Sequence, residues 1–255
     1  MPYPLLTQYR LRLSADAPRT PQPEWGYYLY AELLRAAPDG FAGAVHANAV
    51  TPLSQYLFAG ENGLCWNITL LGDESCAALG GVLDEIERFP LHKEQCTLFV
   101  TERTRHSIPD VEALLAAGET HGAQHRLEFC TPAAFKSKGV YQVLPTQRLL
   151  LQSLVKKWNG CFAGCPIEDT GGAGLEAMAA GLFCTQFSLQ SASYRLKGCS
   201  IPCFTGGMLL ENRLQGFHRT LASALLLFAG YAGIGIKTTL GMGGVRHTGP
   251  HRCKQ

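Results

Sequence analysis

The pattern that most limits what this chain can fold into is an alternation of strand and helix that runs once through its first half and starts again after residue 130. Leu5 to Leu13 (LLTQYRLRL) alternates apolar and polar residues as a strand does, and the Pro-bounded stretch from Pro21 to Ala37 has helical spacing at Tyr27, Tyr30, Leu33 and Leu34. Gly63 to Leu71 reads as the next strand, and Ser75 to Phe89 carries the apolar stripe Leu79, Val82, Leu83, Ile86 of an amphipathic helix. Gln95 to Thr101 and Arg126 to Cys130 read as further strands, which gives the βαββαβ order of a ferredoxin-like unit. Between the first helix and the second strand, Phe41 to Val50 is rich in Ala and Gly and reads as loop with at most a short helix or strand.

After Thr131 the pattern restarts. A basic turn at Phe135 to Gly139 precedes a helix from Pro145 to Trp158, with proline favourably in its first turn. Two strands, 182–196 and 201–213, flank a turn at Lys197 and Gly198, and a last helix runs from Phe217 to about Tyr231. Asp169 to Gly174 (DTGGAG) reads as a flexible loop inside this unit. The expectation is an α+β chain of two units, 1–130 and 131–255.

The two halves differ sharply in charge. Residues 1–130 hold 9 Lys+Arg against 16 Asp+Glu, net −7, and residues 131–255 hold 13 against 4, net +9. A basic second half suits a surface that neutralises phosphates, and equally suits two lobes that attract each other. The N-terminus lacks the apolar core of a signal peptide, and Leu221 to Ala232 is far shorter than the ~20 residues a membrane span needs, so a cytoplasmic protein without membrane contact is expected. In such a compartment the 10 cysteines read as reduced thiols, although Cys161 with Cys165 and Cys199 with Cys203 have CxxxC spacing compatible with zinc. His121 and His125, four apart, form a possible metal pair on a helix, which Gly122 turns into a turn. No metal or cofactor is expected.

The segment Gly233 to Gly244, GIGIKTTLGMGG, places five glycines in twelve residues directly after an apolar helix. Glycine lets a ligand approach the backbone closely, and Lys237, Thr238 and Thr239 add charge and hydroxyls suited to phosphate. The segment is neither a Walker loop, lacking GK[ST] at the required spacing, nor a Rossmann fingerprint, since it follows a helix. Read alone, it is as consistent with a tight structural turn as with a phosphate site.

Three stretches, TPAAFKSKGVYQVLPTQRLLLQSLVKKWN from Thr131, GCSIPCFTGGMLL from Gly198, and LLLFAGYAGIGIKTTLGMGGV, resemble in order and spacing the C-terminal domain of the CRISPR-associated repeat-RNA endoribonucleases of the RAMP superfamily. The resemblance is close over residues 131–245 and weaker over residues 24–58, where WGYYLYAELLRAA, His46 and LSQYLF are similar to the family's first helix and following loop. It implies two tandem ferredoxin-like (RRM-like) domains with a C-terminal glycine-rich loop at their junction, the N-terminal one carrying the catalytic loop. It also implies metal-independent cleavage of CRISPR precursor RNA by 2′-hydroxyl attack.

His46 matches the position of the family's usual catalytic histidine, and imidazole can both accept and donate the transferred proton. The tyrosine often found on the first helix is Leu34 here, and the lysine that often follows the histidine gives way to Thr51-Pro52. Tyr30, one turn before Leu34 on the same face, is the candidate second catalytic residue, with Tyr27 as an alternative, although aromatics at helical spacing commonly belong to a core. RNA contacts are expected from Gly233, Gly235, Lys237, Thr238, Thr239, Gly241 and Gly243, and from Lys136, Lys138, Arg195 and Lys197 in the two basic turns. Lys156 and Lys157 are expected to face solvent. The partner implied is CRISPR repeat RNA, with other CRISPR-associated subunits and a second copy of the chain as further candidates. The incomplete catalytic set keeps a noncatalytic repeat-RNA-binding subunit as the alternative, and a cysteine-based metal protein is the third reading.

Overall fold

A computed structural model describes residues 3–16, 20–22, 24–47, 50–60 and 63–249, the side chains of residues 44, 46 and 47 excepted. In chain order the elements are β1 (Leu6–Ala15), α1 (Trp25–Ala36), α2 (Phe41–Ala47), β2 (Leu53–Gly60), β3 (Gly63–Leu71), α3 (Asp73–Glu85), β4 (Arg88–Leu91), β5 (Cys96–Ile108) and α4 (Val111–Thr120). There follow β6 (Gln124–Ala133), β7 (Phe135–Ser137), β8 (Val140–Gln142), α5 (Gln147–Cys161), α6 (Ala173–Ala180), β9 (Leu182–Leu196), β10 (Cys199–Asn212), α7 (Gly216–Ala232) and β11 (Val245–Thr248).

The strands form two antiparallel sheets, in the orders β2-β3-β1-β5-β4 and β11-β6-β10-β9, and a small β7-β8 hairpin. If β4 is set aside, each sheet takes its first strand in the centre beside its third and its last. That is the ferredoxin-like arrangement, so the chain carries it twice in tandem. Each sheet lays helices on its apolar face. Leu29, Leu33, Trp66, Ile68, Leu79 and Phe89 fill the first core, and Leu127, Leu150, Leu154, Trp158, Leu225 and Phe228 the second. Helix α4 packs on α7 at close range, where a Cβ on Gly118 would stand 2.7 Å from the Ala224 nitrogen.

Two strand assignments change. Arg126 to Cys130 belongs to β6 and pairs with β10 and β11 in the second sheet. The strand that completes the first sheet is β2, pairing with β3 from Leu53↔Leu70 to Gly60↔Gly63. Five consecutive β2 residues are buried, so the strand lacks the period-two alternation that marks a half-exposed one. Helix α2, seven residues long, is the short helix that the Ala- and Gly-rich stretch admitted, and α6 begins inside the expected loop at Asp169 to Gly174. Asp169 is itself the reason: its carboxylate accepts from the Gly174 and Leu175 nitrogens (2.9 and 2.8 Å) and so organises the helix start.

The nine described cysteines are free thiols and form no group of three or more metal-ligating side chains among the described residues. His121 follows the last turn of α4 and His125 lies on β6, so the two do not share a helix. No described helix is long and apolar enough to cross a membrane.

Candidate nucleic-acid interface

The glycine-rich segment is wedged between the two sheets. Its backbone is stitched to the end of β6, Ile236 N–H donating to the Ala134 carbonyl (2.9 Å) and Gly243 N–H to that of Pro132 (2.8 Å). On its other side buried Gln55 of β2 donates through Nε2 to the carbonyls of Thr239 and Gly26 (both 2.9 Å) and accepts at Oε1 from the Trp66 indole (2.7 Å). Tyr194 O–H donates to the Leu240 carbonyl (2.9 Å). Two glycines are required by close approach: a Cβ on Gly235 would stand 2.3 Å from the Ala134 carbonyl oxygen, and one on Gly244 2.1 Å from the Tyr56 ring.

Gly233, Gly241 and Gly243 are buried and Gly235 half-buried, so these glycines serve backbone packing at the junction. Thr238 is 8% exposed and Thr239 half-buried. Lys237 is the exposed tip, held in the left-handed region at φ 57°.

That tip opens onto a cleft of about 490 Å³ lined by Val50 and Thr51, by the β7-β8 turn, by α5 and by the glycine-rich segment. Five lysines line it, Lys136, Lys138, Lys156, Lys157 and Lys237, and no carboxylate does. Such a one-sided wall focuses positive potential where a phosphate backbone could lie.

Lys157 is not the solvent-facing residue expected. Its ammonium donates to the carbonyls of Thr51 (2.7 Å) and Leu53 (2.9 Å), bracketing Pro52. Burial pushes its pKa down to about 8, the Cys161 thiol acting in the opposite direction. One turn later on α5, Gly160 lies against Val50, where a Cβ would come 2.5 Å from a Val50 methyl. Helix α5 thus grips the stretch that joins α2 to β2. The sequence held one signal for this: Thr51-Pro52 stand where a lysine is often found in the resembling family, and Lys157 brings an ammonium to that place from another helix.

The other candidates separate. His46 lies on the backbone of α2, and its side chain is outside the described residues. Tyr30 is 7% exposed and packed in the first core, burial pushing its phenol up to about 12, and it does not line the lysine cleft. Arg195 and Lys197 stand at the β9-β10 turn, lining a different depression beside α1 together with Tyr27, Tyr28 and Lys93. There the Lys197 ammonium sits 5.1 Å over the Tyr27 ring, and the Arg195 backbone N–H donates to Glu24 (3.4 Å). Lys136, Lys138 and Lys237 are brought together; Arg195 and Lys197 are not part of that group.

Residues 127–245 match the model of the family described as CRISPR-associated endoribonuclease Cas6. The chain is 28% identical over 247 residues to the CRISPR-associated endoribonuclease Cas6 of Mycobacterium tuberculosis, covering 94% of this chain and 78% of that one. It is 25% identical over 218 residues to that of Streptococcus thermophilus, covering 84% and 87%. Among solved structures, a Cas6 product complex superposes with a TM-score of 0.75 at 22% identity, covering 95% of this chain and 99% of that chain. Thermus thermophilus Cas6 does so with a TM-score of 0.72 at 23% identity, covering 96% and 99%. The superposed structures cover both ferredoxin-like units and the glycine-rich segment lies inside the matched region, so the chain is similar to the CRISPR-associated endoribonucleases Cas6 over nearly its whole length.

Proposed function

We propose that this protein binds CRISPR repeat RNA along the lysine cleft and cuts the precursor within each repeat by internal transesterification. The ribose 2′-oxygen attacks the adjacent phosphorus, the bond to the 5′-oxygen breaks, and the products are a 2′,3′-cyclic phosphate and a 5′-hydroxyl. The RNA supplies its own nucleophile, so the protein has three tasks: to align the attack, to move protons and to stabilise the crowded phosphorane. His46 moves a proton at the 2′- or 5′-oxygen. The N-terminal unit carries this catalytic loop, and the basic C-terminal unit holds the RNA.

The observation that supports the reading most is the cleft itself, five lysines and no carboxylate directly beside Val50 and Thr51, a few residues after His46. Lys157 keeps one ammonium hydrogen beyond the two engaged with Thr51 and Leu53, and its charge assists the phosphorane while its bonds fix the loop. Tyr30 acts as core. General acid-base help contributes about 10² to 10⁴ in rate, which suffices for one cut per bound RNA.

The test is purified protein with its genomic repeat RNA in EDTA, beside the same RNA with a 2′-deoxy ribose at the cut site and the His46→Ala protein. One cut that survives EDTA and is abolished by both changes supports the reading. Tight binding without a cut overturns the catalytic part and leaves a noncatalytic repeat-RNA-binding subunit.

A further inference from the structure

Three histidines meet at the far end of β6 from the lysine cleft. His121 comes from the end of α4, His125 from the second position of β6 and His247 from the edge strand β11. The β6-β11 register pairs His247 with Leu127, which puts His125 on its diagonal and on the same face of the sheet. Ligand nitrogens of the three rings lie within 4.8 Å of one another. No part of the RNA reading uses them.

We propose that His121, His125 and His247 form a structural site for a divalent transition metal, zinc foremost, that clamps the end of α4 and the edge strand β11 to β6. One hydrogen bond already fixes a required tautomer. His121 Nδ1 lies 2.9 Å from the Gly122 carbonyl, which can only accept, so Nδ1 carries the proton and Nε2 keeps its lone pair. His125 has Nε2 3.2 Å from the Ser223 hydroxyl and Nδ1 3.0 Å from His247 Nε2. With Nε2–H donating to Ser223, Nδ1 accepts from His247 Nε2–H, and a metal binds between the two nitrogens once that proton moves to the other nitrogen of His247. Ligand histidines are commonly oriented through their other nitrogen in this way, by a carbonyl or hydroxyl.

Tetrahedral zinc with nitrogen ligands at about 2.0–2.1 Å sets them roughly 3.3 Å apart, close to the 3.0 Å separation of His125 and His247. His121 is now stacked on His125, with centroids 4.3 Å apart and planes at 19°, and must rotate about its side-chain torsions to point its Nε2 inward. It is half-buried and follows a helix end. His125 is buried and His247 half-buried, so the two nitrogens that face each other are held in place by packing. Arg219 is engaged with the His121 carbonyl (3.3 Å), and Asn212 donates to Ser223 (2.9 Å), completing the polar surroundings. Three imidazole ligands select zinc, cobalt, nickel or copper over magnesium or calcium.

Nine residues of extended chain separate His125 from Ala134 beside the cleft, about 30 Å, so the metal takes no part in RNA cleavage. Its effect is on the strand that leaves the glycine-rich segment.

The experiment uses untagged full-length protein, stripped with chelator and titrated with Co²⁺ and Zn²⁺. The expected result is one equivalent bound, visible bands of tetrahedral cobalt with nitrogen ligation, and a Tm raised by about 5–10 °C at zinc 100-fold above Kd. His121→Ala and His247→Ala, both at half-buried positions, each weaken cobalt binding by about 100-fold or more. His218→Ala, exposed on α7, leaves binding unchanged. No cobalt bands and no Tm response overturn the proposal. So does undiminished binding in both variants, or thiolate charge-transfer bands, which place the metal on cysteines. None of these readouts uses RNA, so they stand or fall apart from the cleavage assay.

Discussion

Removing the Lys157 ammonium while keeping its stem, as in Lys157→Met, tests whether α5 holds the stretch between α2 and β2. Hydrogen bonds from a charged donor are worth about 1.5–3 kcal/mol each, so the two to Thr51 and Leu53 amount to roughly 3–6 kcal/mol. The substitution also releases a buried charge, the effect that lowers this lysine's pKa, and that offsets part of the loss. A net destabilisation of about 2–4 kcal/mol follows, and in a chain of this size about 2–4 °C in Tm accompanies each kcal/mol. The expected drop is therefore about 5–15 °C by calorimetry, whereas Lys156→Met at the exposed neighbouring position stays within about 0.5 kcal/mol of the parent. Single-turnover cleavage by Lys157→Met, measured below its Tm, slows about 10-fold or more because the loop no longer aligns the attack. If Lys157→Met and Lys156→Met unfold together, the two contacts hold nothing and the argument fails.

Lys136→Ala and Lys237→Ala each weaken repeat-RNA binding across sequences and lower the slope of log K against log salt by about 1, read by fluorescence anisotropy at several salt concentrations; an unchanged slope for both removes the cleft from the binding surface. RNA affinity at fixed salt falls as pH rises through about 8, where Lys157 gives up its proton and the cleft one positive charge, and Lys157→Met loses that step. Stability moves oppositely: the unfolded chain binds more protons between about 8 and the ordinary lysine value, so this residue's contribution to stability grows over that range. Gln55→Leu strands the Trp66 N–H and the carbonyls of Gly26 and Thr239, costing about 2–4 kcal/mol in urea unfolding, and faster amide exchange in residues 237–241 localises the damage.

Where a span is rich in apolar and β-branched residues or has a helical apolar stripe, the sequence announced it. The spans 182–196 and 63–71 coincide with β9 and β3, and the last helix differs from α7 by a residue at each end. β2 escaped notice because its Ser54, Gln55 and Tyr56 look polar while being buried. Gln55 is buried because Trp66, Gly26 and Thr239, distant in sequence, satisfy its amide, and such satisfaction has no local signature. Lys157 escaped for the same reason. It follows Leu154 on α5 and reads as the charged flank of an apolar stripe, until the fold brings two carbonyls across from residues 51 and 53.

The glycines of the C-terminal segment show how one composition serves two ends. A phosphate-binding loop needs exposed backbone nitrogens, yet here the Ile236 and Gly243 nitrogens are spent on β6, and Gly235 and Gly244 are demanded by contacts with a carbonyl and a tyrosine ring. The charge that meets the cleft belongs to Lys237, held at the tip by that buried scaffold. Glycine-to-alanine changes at 235 or 244 therefore act through domain packing, lowering Tm together with affinity, while Lys237→Ala lowers affinity alone. If Gly235→Ala kept its Tm and lost only RNA binding, the segment would be a ligand-facing loop and this account of its packing would be wrong.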